Sequence, residues 1–337
     1  MLKQWLPRIP DTLSLNPEPP KFIGADPDVR DRLCKALSSD LRIERMVSQT
    51  SQLHGHYRAH FSNNSVFLKV TSAVEATRRR RANDVAAFLS QRGVSVLVAR
   101  EEIPLDDDTV VFIHDQIRFR YGDRTVEDGM AIGRLLARLH TALSEAPAGM
   151  LSRTEGLLRL NLLKAQFDQW RSHGVPPSPF AAHCERLARR FEQPFAEQPD
   201  SQMVHGDLNL TNMLFDTESG APLLIDFEDS LVSWLPPQFD VGMALQRIAF
   251  KEDVSPDVVG FSRALIAAYC DERGVRPFSD VDHLESVLAW LCLRSFCMLD
   301  HLRAKGQEFP AEEWGKFALL AERAEVARPL LTAAFDG

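Results

Sequence analysis

At Tyr121-Gly122 the texture of the chain changes, and that change limits the fold more than any other feature. Before it, LRIERMV, HYRAHF and SVFLKV alternate in polarity or run β-branched and aromatic, with Ser62-Asn63-Asn64 as a hairpin turn. EATRRRRANDVAAFLSQRG then reads as a helix ended by Gly93, with Val85, Phe88 and Leu89 on one face. VSVLVAREEI and TVVFIHDQIRFRY follow as two strands around the acidic turn Asp106-Asp107-Asp108. After Gly122 the period is helical: DGMAIGRLLARLHTAL places Ile132, Leu135, Leu136 and Leu139 on one face. Further amphipathic stretches cover 156–172, 180–196, 255–273, 280–303 and 311–334. A single strand pair, NMLF and LLIDF on either side of the turn Asp216–Pro222, interrupts them.

The pattern predicts an α+β fold of two lobes. Residues 41–121 form a small antiparallel sheet with one main helix, and residues 122–337 form a larger, mostly helical lobe carrying a β-hairpin. Residues 1–40 hold six prolines, Pro7, Pro10, Pro17, Pro19, Pro20 and Pro27, so they are expected as an extension on the first lobe with a short helix over 28–37.

A length of 337 residues allows two cores, and 45% hydrophobic with 26% charged residues is ordinary for a globular protein. A net charge of −8 argues against a nucleic-acid partner and leans weakly toward an amine-bearing ligand. The five scattered cysteines fit reduced thiols in the cytoplasm better than a disulfide framework. No stretch has the length of a membrane span and the start lacks the apolar run of a signal peptide, so a cytoplasmic protein without a membrane partner is expected.

The polar residues of the hairpin region are clustered. VHGDLNLTNMLFD at 204–216 holds His205, Asp207 and Asn212, and LLIDFEDS at 223–230 holds Asp226 and Glu228. Asp207 and Asn212 could simply close a turn. Read as a site, Asn212 and Asp226 offer one amide and one carboxylate oxygen, a hard-oxygen pair suited to Mg²⁺, which leaves Asp207 to orient a substrate hydroxyl. Phosphoryl transfer asks for metal, positioning and a proton acceptor, and for a lysine on the nucleotide phosphates. Lys69 in VFLKV, on the third strand of the small lobe, stands where protein kinases carry theirs.

HGDLNLTNML followed by LLIDFED resembles the aminoglycoside phosphotransferase and choline kinase superfamily, small-molecule kinases with the two-lobed protein-kinase-like fold. Protein kinases have H-R-D-L-x-x-x-N and D-F-G, whereas this chain has His205-Gly206-Asp207-Leu208 with Asn212, then Asp226-Phe227-Glu228. GRLLARLH at 133–140 and FDVGM around Asp240 are similar to other parts of that branch. The resemblance implies Asp207 as catalytic base, Asn212 and Asp226 as Mg²⁺ ligands, and Lys69 on the phosphates of ATP or GTP. His205 would orient the loop, Asp240 would tie it to the following helix, and Glu228 would contact metal or substrate or lie on the surface. The acceptor would be a hydroxyl of an aminoglycoside, amino alcohol, amino acid or sugar.

Two features depart from the family pattern. The strand lysine needs an acid from the small-lobe helix, and Asp84 is the nearest choice. The phosphate loop SQTSQLHGHYRAHF has one glycine, Gly55, with Ser48, Thr50 and Ser51 as further candidates. Elsewhere, His54, His56 and His60 and the run Arg78–Arg81 read as solvated faces, and Trp290 reads as core. Trp234 in SLVSWLPP is the aromatic residue expected to line the acceptor pocket. Rival readings are a protein kinase of the same fold, a metal-dependent hydrolase and a non-catalytic pseudokinase module. Only 14 residues separate Asp226 from Asp240, which leaves little room for an activation segment.

Overall fold

The computed structural model describes residues 15, 17–37, 41–47, 53–62, 64–147, 149–150, 152–175 and 180–335. They fall into two compact units: residues 18–120 with 214–228, and the described residues of 121–213 with 229–337.

The first unit is built on a six-stranded antiparallel sheet of order β1-β2-β3-β4-β6-β5. Its strands are β1 (Phe22–Gly24), β2 (Arg42–Met46), β3 (Gly55–His60), β4 (Ser65–Ser72), β5 (Ala99–Asp106) and β6 (Thr109–Asp115). Alternation along β4 sorts its side chains. Val66, Leu68 and Val70 enter a core with Ile43, Tyr57, Val111 and Ile113, closed by Val29 and Leu33 of α1 (Pro27–Ala36). Lys69 falls on the opposite face, in register with His56 of β3 and Phe112 of β6. Helix α2 (Ala73–Gln91), capped by the Ser72 hydroxyl on Glu75 N–H, packs Ala76 with Val110 and Phe112.

Two segments sit elsewhere than the sequence places them. Residues 18–37, read as part of an extension, belong to this sheet unit: β1 pairs with β2, Phe22 opposite Met46, and the Arg58 guanidinium lies 4.3 Å from the Phe22 ring centre. No proline falls between Lys21 and Asp26, so the apolar Phe22-Ile23 pair is free to join the sheet edge. The second is the hairpin, expected in the helical lobe. Its strands β9 (Met213–Asp216) and β10 (Pro222–Leu224) order with β7 (Phe119–Tyr121) as β10-β9-β7. Residues 95–97, read as strand, leave the six-stranded sheet to meet it: Leu224 N–H donates to Ser95 O and Leu97 N–H to Leu224 O, both at 3.0 Å.

The second unit is helical: α3 (Val126–Ser144), α4 (Arg153–Gly156), α5 (Leu158–His173), α6 (Ala181–Ala188), α7 (Gln238–Ala249), α8 (Asp257–Arg273), α9 (Val281–Ala304) and α10 (Ala311–Phe335). The stretch read as helical to 196 stops at Ala188. Helices α3 and α8 approach so closely that a Cβ on Gly133 would stand 2.3 Å from Leu265 O. The core runs along α9, where residues 287–297 are buried throughout. A two-stranded ribbon, β8 (Gln202–Met203) with β11 (Trp234–Leu235), pairs Trp234 with Met203 at the entrance to the 204–212 loop. Among the described residues no helix is long and apolar enough to cross a membrane.

Candidate active site

In the helical unit the 204–212 loop is pinned to one buried acid. Asp240, in the first turn of α7, accepts His205 N–H at 2.7 Å and Gly206 N–H at 3.0 Å. The His140 ring on α3 meets the same carboxylate at 3.2 Å and is held from its other nitrogen by Tyr269 Oη at 3.0 Å. Burial drives the His140 pKa down, so the ring is neutral; burial opposes ionisation of Asp240 too, but His140 and the loop amides hold its pKa below the usual carboxylate range. Gly206 has φ +79°, and a Cβ there would fall 2.1 Å from Ser233 Oγ, so this position requires glycine. On the far side, the buried Arg294 of α9 donates to Gly206 O at 2.7 Å.

The loop then presents Asp207 in a fixed pose. Asn212 Nδ2 donates to Asp207 O at 2.9 Å and to Asp207 Oδ2 at 3.1 Å; Asn209 Nδ2 reaches the same Oδ2 at 3.0 Å. Asn209 Oδ1 in turn accepts from Thr211 N–H, Thr211 Oγ1 and Asn212 N–H. Both amides converge on Oδ2, so Oδ1 of Asp207 is left without a hydrogen bond among the described residues. The Asn212 amide hydrogens are spent on Asp207, which leaves its carbonyl oxygen as the atom to meet a cation. Asn209 was missed at the sequence level, although an Asx residue two positions after Asp207 in a tight loop was the available signal.

In the sheet unit Lys69 is the centre. Its Nζ lies 2.9 Å from Glu228 Oε1 and 3.5 Å from Asp226 Oδ1. Asp84, expected as the partner of Lys69, is exposed on α2, and its neighbour Asn83 instead accepts Ala99 N–H at 2.7 Å. Glu75 bonds Thr71 Oγ1. The acid thus comes from the Asp-Phe-Glu motif, and helix α2 contributes arginines: Arg79 pairs with the Glu228 carboxylate, and Arg78 donates to Glu228 O at 3.0 Å. Arg78 and Arg80 are exposed, as a solvated face would have them, but Arg78 and Arg79 also clamp the motif; Arg80 pairs with Glu102 at 2.6 Å. Asp226, with φ 65°, is the non-glycine residue with positive φ among those described, and it precedes the buried Phe227.

Histidines complete this surround. His56 stacks on Phe67 at 5.4 Å between ring centres, and His114 tilts against the other side at 6.3 Å. Burial, with Lys69 and Arg79 adding, pushes both pKa values down to about 4, so both rings are neutral. His60 pairs with Glu44 at 3.0 Å; neither it nor His56 belongs to a solvated face. A cavity of about 70 Å³ lies here, lined by Lys69, Arg79, Asn83, Phe112, His114 and Phe227 among others. Gly55 opens β3 with φ +147°, while Ser48, Thr50 and Ser51 lie outside the described residues. Among the described residues no three His, Cys, Asp or Glu side chains gather as a metal site; Asn212 and Asp226 each offer a side-chain oxygen of the hard type that suits Mg²⁺.

The family described as "Phosphotransferase enzyme family" matches residues 52–278, which takes in the strand lysine, the 204–212 loop and the Asp-Phe-Glu motif. The chain belongs to this family. As a member it is a phosphotransferase acting on hydroxyl groups. No curated protein matches it. Its fold is that of the two-lobed, protein-kinase-like small-molecule kinases. Spectinomycin phosphotransferase is similar over 93% of this phosphotransferase and 100% of its own chain, with a TM-score of 0.58 at 13% identity. Amicoumacin kinase gives 0.56 at 15% over 92% and 91%. A choline kinase from Streptococcus pneumoniae gives 0.56 at 15% over 90% and 98%.

Proposed function

We propose that this phosphotransferase moves the γ-phosphoryl group of ATP or GTP to a hydroxyl of a small molecule, with Mg²⁺ as cofactor and Asp207 as base. The observation that carries the reading is the Asp207 carboxylate itself. Two amides hold Oδ2, the backbone beneath is tied to Asp240, and Oδ1 has no partner among the described residues. A base needs that combination of fixed position and one open lone pair. The acceptor oxygen attacks the γ-phosphorus, its proton passes to Asp207 Oδ1, and the bond to the β,γ-bridging oxygen breaks to release the nucleoside diphosphate. Asn212 and Asp226 would supply oxygens to Mg²⁺, which would offset the charge of the phosphates. Lys69 steadies the phosphates once it exchanges Glu228 for them. Solved structures of similar fold have nucleotides in their descriptions: AMP-PNP with the amicoumacin kinase, ADP with the spectinomycin phosphotransferase. Five free cysteines support a cytoplasmic setting.

Asp207→Asn tests the reading. Nucleoside diphosphate release, with ATP and GTP over a panel of hydroxylated acceptors, should fall by about 10²–10⁴-fold, the usual share of a positioned base. Nucleotide binding followed by thermal shift should persist. Turnover within tenfold of wild type removes Asp207 from the role.

A further inference from the structure

The helical unit gathers more positive charge around Asp207 than the loop uses. Arg294 is nine-tenths buried; one Nη2 bond goes to Gly206 O, and its Nε is buried without a hydrogen bond. Arg247 of α7 lies over the Phe317 ring at 5.2 Å, with Nε and Nη1 likewise buried and unbonded. Arg159 of α5 is the matched member, held to Asp229 by two bonds of 2.7 Å. Lys316 of α10 stands 3.8 Å from Glu313. The Asp207 charge is felt at Arg247, Arg294 and Lys316. Burial and Arg159 lower the Arg294 pKa to about 10, which still leaves it charged at neutral pH.

A buried guanidinium with orphan N–H groups is costly and calls for an explanation. The acids nearby, Asp229 on Arg159 and Glu313 beside Lys316, make no hydrogen bond to these buried N–H groups. Arg159 and Arg294 line a small cavity with Ser233, Trp234 and Trp290, and Ser233 Oγ is a further buried group without a partner. Planar N–H forks of this kind match carboxylate and phosphate oxygens.

We propose that the acceptor carries an oxyanion, a carboxylate or a phosphate, beside the hydroxyl that is phosphorylated, and that Arg294 binds it while Trp234 packs against its carbon skeleton. The inference rests on Asp207 as the site of the reacting hydroxyl. It differs from the amine-bearing acceptor that net charge alone suggests, because the groups left unsatisfied beside the loop are guanidinium N–H donors.

The test titrates the full chain at fixed ionic strength with glycerate and 4-hydroxybutyrate, glycerol 3-phosphate, uncharged glycerol, and the cations choline and kanamycin. Binding is read by thermal shift and turnover by nucleoside diphosphate release. Either the carboxylate or the phosphate probes bind at least about tenfold tighter than glycerol, and which of the two does so identifies the oxyanion. Arg294→Lys, which keeps charge and bulk but loses the fork, costs them about tenfold or more, and Arg294→Gln costs at least as much. Asp207→Asn leaves their binding in place and stops their phosphorylation. No binding by any anionic probe, or binding unmoved in both Arg294 variants, overturns the proposal. Phosphorylation of choline or kanamycin that Asp207→Asn abolishes keeps the phosphotransferase reading and removes the anionic acceptor. Anion binding with turnover indifferent to Asp207→Asn removes the base instead.

Discussion

The Asp207 loop and the Lys69 clamp are held in opposite ways. The loop hangs on a single buried anion, Asp240, which takes two backbone N–H groups and a neutral imidazole; Asn209 and Asn212 then lock the Asp207 carboxylate with amides. Apart from Arg294 at Gly206 O, the partners there are backbone N–H groups, amides and an imidazole, with their bonds already made, so the geometry is preformed. Lys69 is held by charges alone, Glu228 and Asp226, with Arg79 competing for Glu228. Such a cluster trades partners when a phosphate arrives, and its neutral histidines reduce the local positive charge that would otherwise oppose the lysine. One region is built to stay and the other to exchange.

Cutting the anchor is the strongest way to break this contrast. Asp240→Asn keeps the shape but offers one acceptor oxygen where the loop uses two, and it removes the charge. Loss of one member of a buried charged network costs about 3–5 kcal/mol. Urea unfolding should show that loss in the midpoint, and turnover should fall with it because Gly206 and Asp207 are no longer fixed. An Asp240→Asn variant of wild-type stability would mean that Arg294 and the β8–β11 ribbon hold the loop without it.

The same contrast explains what the sequence could reveal. The loop members stand within eight positions of one another, and the strand-then-helix texture around them is strong, so the fold class and the family follow from contiguous text. Lys69 and Glu228 are 159 positions apart, and nothing local marks Glu228 as the lysine's acid. Spacing from Lys69 points instead to Asp84, which faces water. The arginine run on α2 looked like solvated surface because helix period alone does not say what packs on it. Arg247 and Arg294 were invisible for a related reason: each sits in an apolar helix, where a lone charge has no pattern to declare its neighbours. The hairpin's place in the sheet unit likewise depends on residues 95–97 leaving their expected strand, a tertiary choice.

Acid should loosen the clamp before the loop. His56 and His114 have folded pKa values near 4 against about 6.5 in the unfolded chain. Between those values the unfolded chain binds protons that the folded chain refuses, so the contribution is complete above pH 6.5, falls as pH drops below it, and levels off near pH 4. By pH 5 the two rings together should cost roughly 2 kcal/mol of stability, allowing for their partial exposure. His56→Phe with His114→Phe should flatten that limb of the stability profile. An unchanged slope between pH 6.5 and 5 would place the titration elsewhere.

The finest distinction concerns the strength of the exchangeable pair. Lys69 and Glu228 are 17% and 21% exposed at their side chains, too buried for a negligible surface pair and too open for a fully desolvated one. A double-mutant cycle of Lys69→Met and Glu228→Gln, read by urea unfolding without nucleotide, should give a coupling of about 1 kcal/mol. With nucleotide bound the coupling should shrink toward zero, because Lys69 has left Glu228 for phosphate, while Glu228 keeps Arg79. Nucleotide affinity should fall about tenfold in Lys69→Met and rise slightly in Glu228→Gln, since the glutamine no longer competes for the ammonium. If the coupling stays the same with nucleotide present, Glu228 is a fixed partner of Lys69, and the two regions would then be built alike.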